Sequence, residues 1–577
     1  MAQRKRSSKK KDNKTAKGSS YSEEMNLERE LIVIAKPDVE LRATKDEVRS
    51  AVGADVSFLT EMVAPEEITM APLFGASEER LKLETESLTP AERAELPDIS
   101  VYYRVHAPDE QLDDLAEQLI EQETVEAAYV KPPAEPAVAS ESAEEVAELI
   151  NEMLPTADEA PPATPDFNVR QIYLNAAPEG IDARYAWTIP GGRGSGVRII
   201  DIEGAWRFTH EDLTLNQGGV VGAQSSSLGW RNHGTAVVGE FGGDQNDIGT
   251  LGISPDAQVR GFSIFDGDGS AGTLRRAADA LSAGDIILIE LHRPGPQATG
   301  VGQFGYIAIE WWPDDYAAIR YATNKGVIVV EAAGNGSQNL DDPVYGVRPV
   351  GFPTSWENPF NPANPSSMAV IVGAGSPPPG THGKDHGPDR SRLGFSNYGS
   401  RVDSQGWGRE VTTTGYGDLQ GGGNEDLWYT DRFSGTSSAS PIVVGALACT
   451  QGVLHTQEGT LLSPARAIQV LRSTGSPQQD APGRPSTQRI GTRPDLRQLI
   501  PGMAKLWHYN KTIKYTYVHH SSQAAWVFIN PLGWRRIKTG SADGVTNMLN
   551  TCCVAVANSR NVHVYVDSTY LYRLYLL

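Results

Sequence analysis

A serine hydroxyl attacks a carbonyl carbon efficiently only when three conditions hold. A base must stand within hydrogen-bond reach, a carboxylate must orient that base, and donors must wait for the charge that develops on the oxygen. The middle of this 577-residue chain offers all of these parts in order. Asp201 closes the apolar strand Gly196-Val197-Arg198-Ile199-Ile200, so its carboxylate is expected at the carboxyl edge of a sheet, where sites in α/β folds lie. His233 lies in Asn232-His233-Gly234-Thr235-Ala236, where a glycine after the histidine permits close approach as a helix begins. Asn335, in Ala332-Ala333-Gly334-Asn335-Gly336, directly follows the strand at 327–330. Ser437, in Ser434-Gly435-Thr436-Ser437-Ser438-Ala439-Ser440-Pro441, stands at the start of an apolar helix.

Such residues need a frame that brings them to one edge. The runs at 196–202, 285–291, 326–330 and 368–372 are apolar and β-branched, and they alternate with helix-like stretches. Continuous apolar strands separated by helices indicate a parallel sheet covered on both faces. This texture spans 167–500. Upstream, 27–131 reads as a compact α+β unit, with strands at 31–34, 101–105 and 125–130. Its helix starts at Asp109 and aligns Leu112, Leu115, Leu119 and Ile120 on one face. Residues 132–166 are rich in Ala, Pro and Glu and hold no Lys or Arg, so they read as an acidic linker with one short helix near 144–154. After Pro501, short aromatic and β-branched strands at 514–518, 525–530 and 562–567 predict a small, mostly antiparallel β domain over 501–577. Residues 1–26 form a basic tail, with eight Lys or Arg and one Asp in the first 20. It reads as disordered and solubilising, a nucleic-acid or localisation tail being the alternative.

Composition bounds the function. Lys and Arg number 51 against 72 Asp and Glu, a formal net charge of −21. An acidic surface of that kind disfavours nucleic acid or an anionic membrane as the main partner. Three cysteines are too few for a disulfide framework in a chain this long. No run reaches the roughly 18 apolar residues of a membrane span. The basic start is not followed by the apolar stretch of a secretory signal, so a cytoplasmic location is expected, with non-classical export as the alternative.

The Asp, His, Asn and Ser boxes, in this chain order, resemble those of the subtilisin-like serine proteases (subtilases). The resemblance covers roughly 170–500 and extends to Gly252-Ile253-Ser254-Pro255-Asp256-Ala257, Phe395-Ser396-Asn397-Tyr398-Gly399 and the stretch 471–475. It implies a three-layer α/β fold with a mainly parallel sheet, and hydrolysis of protein or peptide substrates by a serine endopeptidase through an acyl-enzyme. Asp201 would orient His233, His233 would serve as base and then acid, and Ser437 would be the nucleophile. Asn335 would supply the side-chain oxyanion donor beside the Ser437 N–H. The resemblance also implies that 27–131 is a ferredoxin-like inhibitory propeptide and that the chemistry requires no cofactor. Structural calcium is a family habit for which no ligand set is legible here. The C-terminal β domain is left free for a partner of unknown kind.

Two departures from the family pattern stand out. Ile202-Glu203-Gly204 follows Asp201, where a small hydroxyl residue usually precedes the glycine. Glu290, in Ile289-Glu290-Leu291-His292-Arg293-Pro294, takes the place of a small residue in the wall of the S1 pocket. Glu290 either reads a basic P1 side chain or pairs internally with Arg293. Leu291, His292 and Gly269 complete the expected substrate-binding set, Gly269 on a glycine-rich edge strand. A non-catalytic binding protein, its site blocked by Glu290 and His292, is the rival reading. A propeptide ending at Tyr129-Val130-Lys131-Pro132 presents a poor scissile bond, because proline lacks the N–H. Cleavage therefore lies further on, or the domain is retained. His210 and Asp212 read as structural. Asp266-Gly267-Asp268-Gly269-Ser270 resembles a calcium loop, but Ala277 stands where the bidentate glutamate would be needed.

Overall fold

The computed structural model describes residues 25, 27–44, 47–65, 67–87, 96–137, 163–503, 505–518, 524–538, 542–567 and 569–577. The basic tail (apart from Met25 here) and the helix expected at 144–154 lie outside the described residues. Seven strands form the central sheet. Their order is Ser404–Trp407, Val370–Gly375, Ile328–Ala332, Ile286–Ile289, Arg198–Glu203, Gln258–Ser263, Gln217–Val221, and every pairing is parallel. Both faces are covered, which accounts for the unbroken apolar runs. Ile199 joins the core beneath the helices Leu228–Gly242 and Thr436–Glu458, while Ile200 and Ile202 join the core beneath Gly269–Ala280 and Pro313–Asn324. Thr436–Glu458 is long and apolar enough to cross a membrane, and its apolar stretch is wholly buried in this core instead.

The strand Arg198–Glu203 runs two residues past the end expected at Asp201, so Glu203 occupies the carboxyl edge. Successive strand residues alternate faces, and Asp201 and Glu203 therefore share one.

The N-terminal unit is a four-stranded antiparallel sheet in the order Thr69–Pro72, Tyr102–His106, Glu30–Ala35, Val125–Lys131. Its central strand buries Leu31 and Val33 against the helix Leu112–Ile120, and Ile32 and Ile34 against the core of the large domain. Leu31-Ile32-Val33-Ile34 is apolar throughout because both of its faces are covered.

Ions seal the same contact. Lys131 Nζ, fully buried, is bonded to Asp314, reaches Asp315 at 3.2 Å and donates to Ser270 Oγ at 3.1 Å. Arg293 Nη2 donates to Glu30 at 2.9 Å, and its Nη1 is bonded to the Pro132 carbonyl. Burial works to raise the Glu30 carboxyl, but Lys131, Arg104 and Arg293 outweigh it and hold the group down at about 2.

The C-terminal region closes into a five-stranded barrel in the order Leu506–Val518, Ala525–Asn530, Gly533–Ile537, Tyr570–Leu576, Asn561–Val566. All pairings are antiparallel except Gly533–Ile537 with Tyr570–Leu576. A parallel pair needs a crossover, and the unanticipated helix Ala542–Ala557 forms part of it. That helix carries Cys552 into the barrel core and leaves Cys553 exposed.

Candidate active site

His233 sits in the second turn of Leu228–Gly242, a helix that starts five residues before it and is capped by Ser227 Oγ accepting from the Gly229 N–H at 3.1 Å. A side chain at Gly234 would stand 2.4 Å from the Ala205 carbonyl oxygen, so glycine there lets the helix press onto the loop after the acidic strand. That contact brings His233 Nδ1 to 2.8 Å from an Oε of Glu203. Asp201, expected to orient the histidine, instead accepts from Trp206 Nε1 at 2.7 Å. The extra methylene of glutamate and its place at the strand's very edge carry Glu203 to the imidazole, while Asp201 is held one step back along the same face. Burial pushes the Asp201 and Glu203 carboxyl groups well up, Asp201 also under the influence of Glu203, and lowers His233 to about 3.

Ser437 lies at the second position of Thr436–Glu458, preceded by Gly435 at φ 116°, a conformation that side chains rarely adopt. The Asn335 amide is fixed from the opposite side. Its Oδ1 accepts from the Thr436 N–H and from Thr436 Oγ1, both at 2.9 Å. A backbone N–H can only donate, so Oδ1 must face it and Nδ2 is the free end. Nδ2 is buried and has no hydrogen-bond partner among the described residues.

A short strand of the chain itself occupies the space between these groups. Glu135–Pro136 pairs antiparallel with Leu291 and His292, in a sheet completed by Tyr306–Ala308. Tyr306 Oη donates to Glu135 at 2.7 Å, and Gln303 Nε2 donates to the Pro136 carbonyl at 2.8 Å. Ser437 Oγ donates to the Ala137 carbonyl at 3.2 Å. A Cβ on Gly435 would come within 2.2 Å of that same oxygen and 3.3 Å of Asn335 Nδ2. The amide donor and the carbonyl therefore converge on one spot that only glycine leaves open. Under this segment Ser437, His233, Glu203, Glu290 and His292 are all fully buried.

Leu291 and His292 pair with this segment; the His292 ring lies tilted against Tyr306, with ring centroids 4.8 Å apart, and its Nδ1 accepts from the Asn335 N–H at 3.3 Å. Two other expectations are corrected. Glu290 does not pair with Arg293, whose partners include Glu30, Asp315, Ser270 and Pro132. Its carboxyl, raised by burial and then by Glu203 and Asp201, faces the Ser440 and Ser437 hydroxyls. Gly269 opens a helix rather than an edge strand, and it packs against Glu30 of the N-terminal unit. His210 and Asp212 are structural: His210 Nε2 meets the Trp428 carbonyl at 2.8 Å, and Asp212 accepts from the Thr250 N–H at 2.6 Å. Asp266 and Asp268 both pair with Arg276. Among the described residues no group of three or more His, Cys, Asp or Glu is placed to hold a metal ion. Glu203, Gln303 and Tyr306 are the site residues that sequence reasoning missed. The available signal was the two-residue spacing of Asp201 and Glu203 on one strand.

A parallel α/β sheet that brings together a helix-borne serine, a histidine bonded to a carboxyl group and an unpaired amide donor defines the class of serine hydrolases. Residues 207–491, just under half of the chain, match the Subtilase family model. The match opens at Arg207, downstream of both candidate acids. Subtilisin BL of Lederbergia lenta is 28% identical over 261 residues, 44% of this chain and 76% of that protein. An alkaline protease of Alkalihalobacillus alcalophilus is 28% identical over 261 residues, 44% of this chain and 54% of its own length. A thermophilic serine proteinase of Bacillus sp. (strain AK1) is 29% identical over 302 residues, 50% of this chain and 60% of its own. The matched region thus spans under two thirds of two of these three relatives.

Proposed function

We propose that the chain is a serine endopeptidase held in check by its own N-terminal unit, and that Ala137–Val138 is the first bond it cuts. The observation that supports this most is the Ala137 carbonyl, presented to Ser437 by a segment that lies in the cleft as an added strand. In the reactive arrangement the Ser437 hydroxyl donates to the free Nε2 of His233 rather than to Ala137. His233 takes the proton as Oγ bonds to the Ala137 carbon, and Glu203 holds the Nδ1 side of the imidazolium. The negative oxygen is received by Asn335 Nδ2 and the Ser437 N–H at the positive end of the helix. The C–N bond to Val138 then breaks, and the departing nitrogen takes the proton from His233. Water, activated by His233, releases the acyl group. Incubation of the purified protein followed by intact mass measurement should reveal a chain beginning at Val138. No cut there, and no labelling of Ser437 by a fluorophosphonate after removal of residues 1–137, would favour the binding-protein alternative.

Asn335→Ala should lower kcat about 10²–10³-fold with little change in KM, the scale subtilisin itself shows at its oxyanion asparagine. The amide meets the oxygen fully only as charge develops. A loss confined to KM would mean that Asn335 binds the ground state instead.

Lys131→Ala strips Asp314, Asp315 and Glu30 of a shared cation inside a buried contact. Breaking such a buried pair costs about 3–5 kcal/mol. The closed form should weaken accordingly, and basal cleavage of a peptide substrate should rise. Unchanged basal activity in a folded Lys131→Ala protein would separate the N-terminal unit from restraint.

A further inference from the structure

The C-terminal barrel turns Ile513, Val527, Ile529 and Ile537 inward, as the two-residue period of strands requires. Its outward face is not the polar surface such a strand ordinarily shows to water. Three adjacent strands align Tyr515 with Phe528 and Phe528 with Trp534 in one cross-strand row, and Tyr517 with Trp526 and Trp526 with Arg536 in the next. Ring centroids lie 5.8 Å apart for Tyr515–Phe528, 5.6 Å for Phe528–Trp534 and 5.5 Å for Tyr517–Trp526. The Arg536 guanidinium stands 5.6 Å over the Trp526 ring. Tyr515, Tyr517 and Trp534 are 60%, 51% and 47% exposed. Of the exposed large aromatics among the described residues, all but Phe304 lie in this barrel.

Charge singles out the same surface. Residues 506–537 hold Lys511, Lys514, Arg535 and Arg536 and not one Asp or Glu. Over 506–577 there are seven Lys or Arg against two Asp, a balance of +5 within a chain whose total is −21. That total does not forbid an anionic ligand here, because salt screens charges beyond about 8 Å.

We propose that this face binds single-stranded nucleic acid, with bases stacked on the two aromatic rows and phosphates drawn to Lys514 and Arg536. A ligand that satisfies both features needs flat π faces and repeated negative charge, and aromatic platforms beside cations are how such strands are held. A duplex keeps its base faces covered and does not fit. The rows lie two residues apart along the strands, about 6.6 Å, roughly twice the 3.4 Å rise per nucleotide of a stacked strand. A bound strand must therefore unstack to lay bases on both rows. The inference rests on the barrel alone and is independent of the peptidase reading.

Fluorescence anisotropy of the full-length chain with short labelled oligothymidylate and oligouridylate tests it, with duplex DNA and heparin as comparators. Binding to the single strands should tighten as salt falls, with a log–log slope of about −0.7 per phosphate engaged. It should also quench the fluorescence of Trp526 and Trp534. Trp534→Ala and Tyr517→Ala should each weaken binding about 5- to 150-fold, and Trp534→Phe should restore most of it. Ser437→Ala should leave it untouched. No binding at low salt would overturn the proposal. So would equal affinity for heparin with no effect of Trp534→Ala, which would assign the face to polyanions without bases.

Discussion

Ser437→Ala should abolish peptide-bond hydrolysis and leave the chain uncut at Ala137–Val138. The expected loss in kcat is about 10⁶-fold, the magnitude subtilisin itself shows when its serine or histidine is removed. The fold should survive, because the helix that carries Ser437 is held by its apolar core rather than by the hydroxyl that meets Ala137 and Glu290. His233→Ala should cost about as much, and the double variant little more, since serine and base act as one unit. The measurement is turnover of a peptide substrate, with thermal melts to confirm that each variant is folded. Full activity in folded Ser437→Ala would end the assignment of this serine as nucleophile.

Glu203→Gln should cost about 10⁴-fold in kcat, whereas Asp201→Asn should change it only a few-fold. A glutamine amide facing Nδ1 holds the imidazole in the wrong tautomer and offers no charge to the imidazolium. An asparagine at 201 still presents a carbonyl oxygen to Trp206 Nε1, which donates to Asp201 at 2.7 Å. The same kinetic assay, run on chains from which residues 1–137 have been removed, ranks the two acids. A large loss in Asp201→Asn with normal turnover in Glu203→Gln would return the orienting role to Asp201.

That pair of variants marks the boundary of what the chain reveals unfolded. The four boxes were legible because each carries a chemical group beside a glycine or at a strand end, and the parallel sheet was legible from apolar runs too long for one-sided strands. The choice between Asp201 and Glu203 was not. Both point to the same face, and only the length of the strand and the reach of the side chain decide which meets the histidine. Of the two roles open to Glu290, pairing with Arg293 falls away for a related reason: neighbours in sequence do not say which way a side chain turns, and its carboxyl faces Ser437 and Ser440. The partners of Arg293 were out of reach because Glu30 and Pro132 lie more than a hundred residues away in the chain. The docking of the N-terminal unit did leave a trace, since Leu31-Ile32-Val33-Ile34 lacks the alternation of a sheet with one wet face.

The strand in the cleft and the Lys131 contact behind it belong to one continuous chain, and that continuity has a consequence for timing. In an enzyme restrained as proposed, the strand at 135–137 would compete with any substrate as though present at roughly millimolar concentration while residues 137 and 138 stay joined, because it is tethered beside its seat. Once the bond opens, the same strand becomes the end of a separate molecule, and its hold depends on how much of that molecule surrounds each enzyme. A concentrated preparation should remain quiet after the cut, and the same preparation should gain activity when it is diluted. The onset of proteolysis would then report the local abundance of the chain rather than the moment of cleavage.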